Sequence, residues 1–304
     1  MTVTLALALG AGACGGGDPG TGGLEGTIRV DGSSTVAPLS EAAAELFQEE
    51  HNYVRVTVGT SGTGGGFEKF CNGETDISDA SRPIKESEKE ACAANGVRYE
   101  QLAVANDGLA VVVSPRNTWA RCLTVEQLRK VWAPGSRVSN WKDIDPGFPD
   151  EKLALFGAGT DSGTFDYFTE AVNGKSGASR TNYTASEDDN VTVTGVSGTK
   201  GGLGYLGLSY VEENPGKVRA VAVDGGSGCV EPSARTVQDN LYKPLGRPLF
   251  IYPKADALTR REVREFVHSY IVNAEEIAEV ARFIPLTAAQ KQESLALLQT
   301  LLPA

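Results

Sequence analysis

Hydrophobic and polar positions along this chain follow two alternating periods. Residues 26–30 and 54–58 carry the β-branched pattern of short strands, whereas 36–49 place Leu39, Ala43, Leu46 and Phe47 on one face of a helix. Residues 76–80 predict a third strand. Residues 59–66 form a glycine loop, and 67–71 a short helix after it. Strand, loop and helix in this alternation indicate an α/β domain with a largely parallel sheet, in which ligands sit beyond the carboxyl ends of strands.

Two apolar runs stand apart, 109–113 ended by Ser114-Pro115 and 248–252 ended by Pro253. Each suits a strand crossing between two lobes. Between them lies a block with its own helix (125–132), strand (153–156), helix (165–173) and glycine-rich region (195–207). Helical spacing over 259–272, 275–283 and 287–302 then places the last part of the chain back on the first lobe. The expected division is residues 26–110 with 249–304 as lobe one, 111–248 as lobe two, and 1–25 as leader remnant and tether. No repeat at a fixed period is visible.

Charge and composition narrow the function. The 304 residues hold 28 Lys+Arg against 39 Asp+Glu, a net charge of -11, which excludes a generic nucleic-acid binder relying on cations facing phosphates. At 40% hydrophobic residues the chain can bury a sizeable core, and its length suggests about two domains. No stretch approaches the roughly 20 apolar residues of a spanning helix. Residues 2–13 read as the end of an export signal, with a short apolar core and the small residues Ala11, Gly12 and Ala13 before Cys14. This resembles a bacterial lipoprotein cleavage site, although no basic residue precedes the run and Ala11 stands where Leu is usual. The resemblance implies a lipid on Cys14 and a flexible tether over 15–23, hence an extracytoplasmic protein held to the membrane only through its anchor.

With Cys14 taken by lipid, Cys71, Cys92, Cys122 and Cys229 remain. An even number in an exported protein suggests disulfides, and no CxxC pair suggests zinc or redox chemistry. Sequence order favours Cys71 with Cys92 and Cys122 with Cys229, because each bridge then stays inside one lobe. Buried free thiols are the alternative.

Three loops share one composition: Asp31-Gly32-Ser33-Ser34-Thr35-Val36, Gly59-Thr60-Ser61-Gly62-Thr63-Gly64-Gly65-Gly66, and Gly159-Thr160-Asp161-Ser162-Gly163-Thr164-Phe165. Each follows a strand and precedes a helix, so backbone N–H groups and a positive dipole end converge on whatever sits there. Ser, Thr and Gly are also ordinary N-caps and turn residues, so one such loop says little and the set says more. A fourth element, Asp79-Ala80-Ser81-Arg82-Pro83, ends a strand in a hydroxyl and an arginine. Arg82 offers a planar fork for two oxygens of one anion, or else an ion pair with Glu86 or Glu88.

Residues 33–83, 157–168, 183–190 and Gly202-Leu203-Gly204-Tyr205-Leu206-Gly207 resemble the phosphate-binding proteins that feed bacterial phosphate ABC importers. The resemblance implies a two-lobed, Venus-flytrap periplasmic-binding-protein fold of type II topology, a monomer that binds inorganic phosphate without a cofactor and delivers it to permease subunits. Carried over loop by loop, it places phosphate on Ser34, Thr35 and the N–H of Val36, on Thr63, and on Ser162, Gly163 and Thr164. Two positions depart from the family: Ser81 stands where an Asp accepts the phosphate proton, and Ala158 where an arginine is usual. Arg82 is expected to restore the lost charge. Asp161 is the candidate substitute acceptor, or the residue that orients Arg82; its other reading is a helix N-cap.

Enzyme readings find little support. A Ser hydrolase needs a base near its nucleophile, and the only histidines are His51, after a helix, and His268, inside one. No G-x-S-x-G occurs. A P-loop fails because Thr169 stands where the first glycine before Gly174-Lys175-Ser176 belongs. Asp188-Asp189-Asn190 lacks the rest of a calcium loop. The rivals kept beside phosphate delivery are a phosphate-ester hydrolase and an anion-sensing surface protein on the same fold.

Overall fold

The computed structural model describes residues 23–160 and 162–302; Cys14, the tether and Asp161 lie outside them. The chain opens with β1 (Glu25–Gly32), α1 (Ala37–Glu50), β2 (Tyr53–Gly59), α2 (Gly62–Cys71), β3 (Ile77–Ala80) and α3 (Glu86–Ala94). The long strand β4 (Leu102–Val113) leads to β5 (Cys122–Thr124), α4 (Val125–Trp132), α5 (Trp141–Ile144), β6 (Ala154–Ala158), α6 (Gly163–Asn173), β7 (Thr184–Ser186) and α7 (Asp189–Gly198). Next come β8 (Gly202–Gly207), α8 (Leu208–Glu213), β9 (Arg219–Asp224), β10 (Cys229–Val230) and α9 (Ala234–Gln238). Strand β11 (Gly246–Pro253) then returns, followed by α10 (Arg261–Val272), α11 (Ala274–Val280) and α12 (Ala288–Leu301).

The strands run in the order β2-β1-β3-β11-β4-β8-β6-β7. β1 is parallel to β2 and β3, and β6 is parallel to β7 and β8. The expected largely parallel sheet is therefore mixed: each lobe has a parallel core, but β11 lies antiparallel to β3 and β4, and β4 antiparallel to β8. The reason is connectivity, since the chain leaves one lobe along β4 and comes back along β11.

Each lobe buries its own core. Leu109, Val111, Trp132, Phe168, Tyr205 and Leu245 belong to one, and Ile28, Leu39, Ala105, Leu249, Phe266 and Leu298 to the other. β4 thus changes cores between Ala105 and Leu109, and the returning chain changes between Leu245 and Leu249. These two changeovers face each other in register, with Gly246, Arg247 and Pro248 opposite Gly108, Asp107 and Asn106. The apolar run at 109–113 is only the second half of β4; Asn106-Asp107-Gly108 interrupts the apolar pattern of the first half. The last three helices pack on the first lobe, through Val263, Phe266, Ile277 and Leu298.

Helix starts follow local chemistry. Thr124 caps α4 by accepting from the Gln127 N–H at 3.0 Å, and Ser162 caps α6 by accepting from the Thr164 N–H at 3.1 Å. Helix α6 ends on Gly174, at φ 80°, the left-handed cap that glycine adopts without a Cβ penalty. The glycine stretch departs from expectation, because α2 begins at Gly62 rather than at Phe67. Packing overrides the poor helix propensity of glycine there. A Cβ on Gly66 would stand 2.4 Å from the Gly32 Cα, so the glycine serves close approach of α2 to the first loop.

Cys71 bonds Cys92 and Cys122 bonds Cys229. Among the described residues no helix is long and apolar enough to cross a membrane.

Candidate functional site

The first loop folds onto itself. Ser33 donates its N–H to the Asp79 carbonyl at 3.1 Å, and the Val36 and Ala37 N–H groups donate to the Ser33 carbonyl at 3.1 and 3.0 Å. The Thr35 N–H donates to the Ser33 Oγ at 3.2 Å. The Val36 side chain is buried in the lobe core, so only its N–H faces the loop, and an anion there competes with the Ser33 carbonyl for it.

The second loop is tied to the first through Asp31. Both the N–H and the hydroxyl of Ser61 donate to Asp31 Oδ1, and Lys69 donates to Oδ2 at 2.7 Å. Burial works against the Asp31 charge, but the Lys69 ammonium and the Ser61 donors outweigh it and hold the carboxyl below its ordinary range. The lock fixes the start of α2, where Thr63 meets Ser81: their hydroxyls are 3.1 Å apart, and the Ser81 N–H donates to the Thr63 Oγ1 at 3.3 Å.

These pieces surround a cavity of about 310 Å³ between the lobes. From the first lobe come Ser34, Thr35, Thr63, Ser81 and Arg82, and from the second Asp166, Tyr167 and Glu170, with Arg247 between them. The third loop meets the first edge to edge. The Thr35 hydroxyl lies 3.5 Å from the Gly163 carbonyl, and a Cβ on Gly163 would stand 2.7 Å from Thr35 Oγ1. Ser162 and Gly163 are not part of the cavity lining, and Thr164 faces an adjoining cavity of about 240 Å³ beside Asp107. Of the site residues read from sequence, Ser34, Thr35, Thr63, Ser81 and Arg82 line this cavity, while Asp161 lies outside the described residues and Thr35 against Gly163 divides the space between the lobes.

Charge is arranged differently from the sequence reading. Arg82 gives its fork to Glu88, at 2.9 Å from Nη1 and 2.7 Å from Nη2. The pairing raises the arginine further, and it outweighs burial to hold the Glu88 carboxyl low. The ion pair, one of the two readings of Arg82, is the one the geometry contains. Arg247 was not anticipated. Its guanidinium carbon lies 3.3 Å from the centroid of the Tyr167 ring, Nε and Nη2 each lie 3.4 Å from Asp107 Oδ2, and Nη2 lies 3.4 Å from the Thr35 hydroxyl. The one signal in the sequence is a charged residue, Arg247, opening an otherwise apolar crossing strand. Burial pushes the Asp107 carboxyl up, against the pull of Arg247.

Beneath the first loop, Asp79 is wholly buried. It accepts from the Ser40 hydroxyl at 2.8 Å, and burial raises it to about 7. Neither histidine reaches the cavity: His51 packs its ring 4.5 Å from that of Phe47, and His268 lies within α10.

A profile of the PBP superfamily domain matches residues 18–275. The SphX protein of Synechococcus elongatus is 48% identical over 264 residues, covering 86% of this chain and 78% of that protein. The phosphate-binding protein PstS of Staphylococcus saprophyticus is 38% identical over 290 residues, 94% of this chain and 88% of that one. The crystal structure of a possible phosphate-binding protein from Planctomyces limnophilus superposes with a TM-score of 0.88 at 47% identity, over 92% of this chain and 100% of that chain. With two lobes joined by crossing strands and helix starts facing each other across the gap, the chain belongs to the PBP superfamily, within the family of bacterial phosphate-binding proteins.

Proposed function

We propose that this protein captures inorganic phosphate between its lobes, outside the cytoplasm, and delivers it to the permease of an ABC importer. The observation that carries the reading is the meeting of Thr35 with Gly163, which brings helix starts from both lobes together beside the hydroxyls of Thr63 and Ser81. The positive ends of helices and neutral hydroxyls suit a compact oxyanion. In this reading Ser34, Thr35, Thr63 and Ser81 hold the anion from the first lobe. Ser162, Gly163 and Thr164 hold it from the second, with Asp161, the neighbour of Ser162 in sequence, as acceptor of the phosphate proton. Arg82 walls the site with Glu88 and is not counted among the ligands.

Residues 26–110 with 249–304 form one lobe of the working molecule and 111–248 the other, and closure bends β4 and β11 where the cores change over. Cys14 carries the lipid, and the molecule acts as a monomer that binds and releases its ligand without transforming it. Calorimetry on protein stripped of bound anion tests the reading. Phosphate and arsenate bind one per chain, sulfate binds more weakly, and a phosphate ester is not turned over. Sulfate binding as tightly as phosphate overturns the assignment.

A further inference from the structure

Resting on that reading, we infer that Arg247 is the charged ligand of the anion, and that Asp107 holds its place while the site is empty. The two residues are register partners at the changeover of the crossing strands, the part of the molecule common to both lobes. From there the guanidinium lies on Tyr167 of the second lobe and beside Thr35 of the first. No other cation among the described residues spans both lobes at the cavity in this way.

The distances separate Arg247 from Arg82. Charge-assisted N–H···O bonds run at about 2.7–2.9 Å, the range of Arg82 with Glu88. The contacts of Arg247 with Asp107 and with Thr35 are all 3.4 Å. Its orientation is set by the Tyr167 face, while its donors are only loosely engaged. Both partners are withdrawn from water, at 13% and 9% side-chain exposure, so a better acceptor arriving there gains more than it would at the surface. The protein carries a net charge of -11, and Asp166 and Glu170 line the same cavity. A divalent anion entering it needs a nearby cation. Arg82 is committed to Glu88 and Lys85 lines the cavity from the first lobe alone, whereas Arg247 touches both lobes with its donors loosely engaged. On binding, the anion takes the Arg247 donors, and Asp107, whose carboxyl burial already disfavours as an anion, is relieved of its partner.

Isothermal calorimetry with inorganic phosphate on wild type, Arg247→Ala, Arg247→Lys and Asp107→Asn, each with a melting curve taken without phosphate, tests the assignment. Arg247→Ala is expected to bind phosphate roughly 10- to 100-fold more weakly. Arg247→Lys, which keeps the charge but loses the planar stack on Tyr167, is expected to fall between it and wild type. Asp107→Asn is expected to melt lower without phosphate and yet bind it more tightly, a divergence that a purely structural ion pair does not produce. Phosphate affinity within about threefold of wild type in both Arg247 variants overturns the role of Arg247, and weaker binding by Asp107→Asn overturns the place-holding role. Should Arg247→Ala fail to fold, Arg247→Lys and Asp107→Asn decide. Wild type that takes up no phosphate sinks the proposed function itself, which keeps the two failures apart.

Discussion

Arg82 and Glu88 form a two-point ion pair, one nitrogen of the guanidinium to each carboxylate oxygen, at 2.9 and 2.7 Å. A third bond ties the Lys85 N–H to the same carboxylate at 2.8 Å, which anchors the start of α3. An arginine so engaged gives an incoming anion little without surrendering a good partner. Arg82→Ala is therefore expected to change phosphate affinity by less than about threefold. Glu88→Gln, which frees the fork while keeping the side-chain length, is expected to tighten binding instead. Titration calorimetry on both variants checks this, and a large loss in Arg82→Ala would restore the arginine as a direct ligand.

Closure has a steric signature at Gly163. Its missing side chain leaves room for Thr35, and a Cβ there would stand 2.7 Å from the Thr35 Oγ1 and 3.1 Å from its Cα. The obstructing atoms include backbone, which cannot swing aside. Gly163→Ala is thus expected to hold the lobes apart and to weaken phosphate binding by about 1–3 kcal/mol, the usual range for overpacking. The variant should show a larger radius of gyration in saturating phosphate by small-angle scattering. An unchanged affinity and radius would mean that the Thr35 to Gly163 contact plays no part in the bound state.

How far the sequence speaks depends on whether the deciding contact is local. Helix α4 was legible because its apolar spacing over 125–132 is local, whereas α6 begins at Gly163 with Ser162 as its cap, two residues before the start read at Phe165 and with a different cap from the candidate Asp161. The pairings Cys71 with Cys92 and Cys122 with Cys229 followed from keeping each bridge inside one stretch of chain. The glycines of α2 misled, since their reason is Gly32 on another element. Val36 sits in the right loop, but whether its N–H is free depends on a turn back to the Ser33 carbonyl. Arg247 was invisible for the same reason on a larger scale: its partner Asp107 is 140 positions away, and only the antiparallel pairing of the crossing strands brings them together.

The two disulfides are expected to differ in worth. They close loops of 21 and 107 residues, and constraint of the unfolded chain grows with the logarithm of loop length. Chain entropy assigns roughly 3 kcal/mol to the shorter and about 5 kcal/mol to the longer. Replacing Cys122 and Cys229 by serine should lower the denaturation midpoint more than replacing Cys71 and Cys92. Urea unfolding of both double variants compares them, and the reverse order would place the stabilisation in native packing around the first bridge rather than in the unfolded chain.

Asp79 makes stability depend on pH in a direction opposite to most carboxylates. Its side chain lies under the first loop, where burial is the main influence; the nearby Asp31 charge adds to it, and the Ser40 donor opposes it. The native value of about 7 stands above the value near 3.9 for an unfolded aspartate, so folding takes up a proton between those limits. Stability linked to this group is fully present below about pH 4, falls as pH rises toward 7, and stays low above it. The whole loss is on the order of 4 kcal/mol. Asp79→Asn keeps an oxygen for the Ser40 hydroxyl and removes the proton uptake. It is expected to match wild type near pH 4 and to be the more stable protein at pH 8, with the gap opening across pH 4 to 7. Asp189, raised to about 6 by burial, and Asp107 bend the pH profiles of both proteins alike, so the difference between the two isolates Asp79. Denaturant unfolding in phosphate-free buffer at pH 4, 6 and 8 measures it. A difference that stays constant over that range would mean that Asp79 folds already ionised, and that the Ser40 hydroxyl and the turn above it stabilise a buried charge.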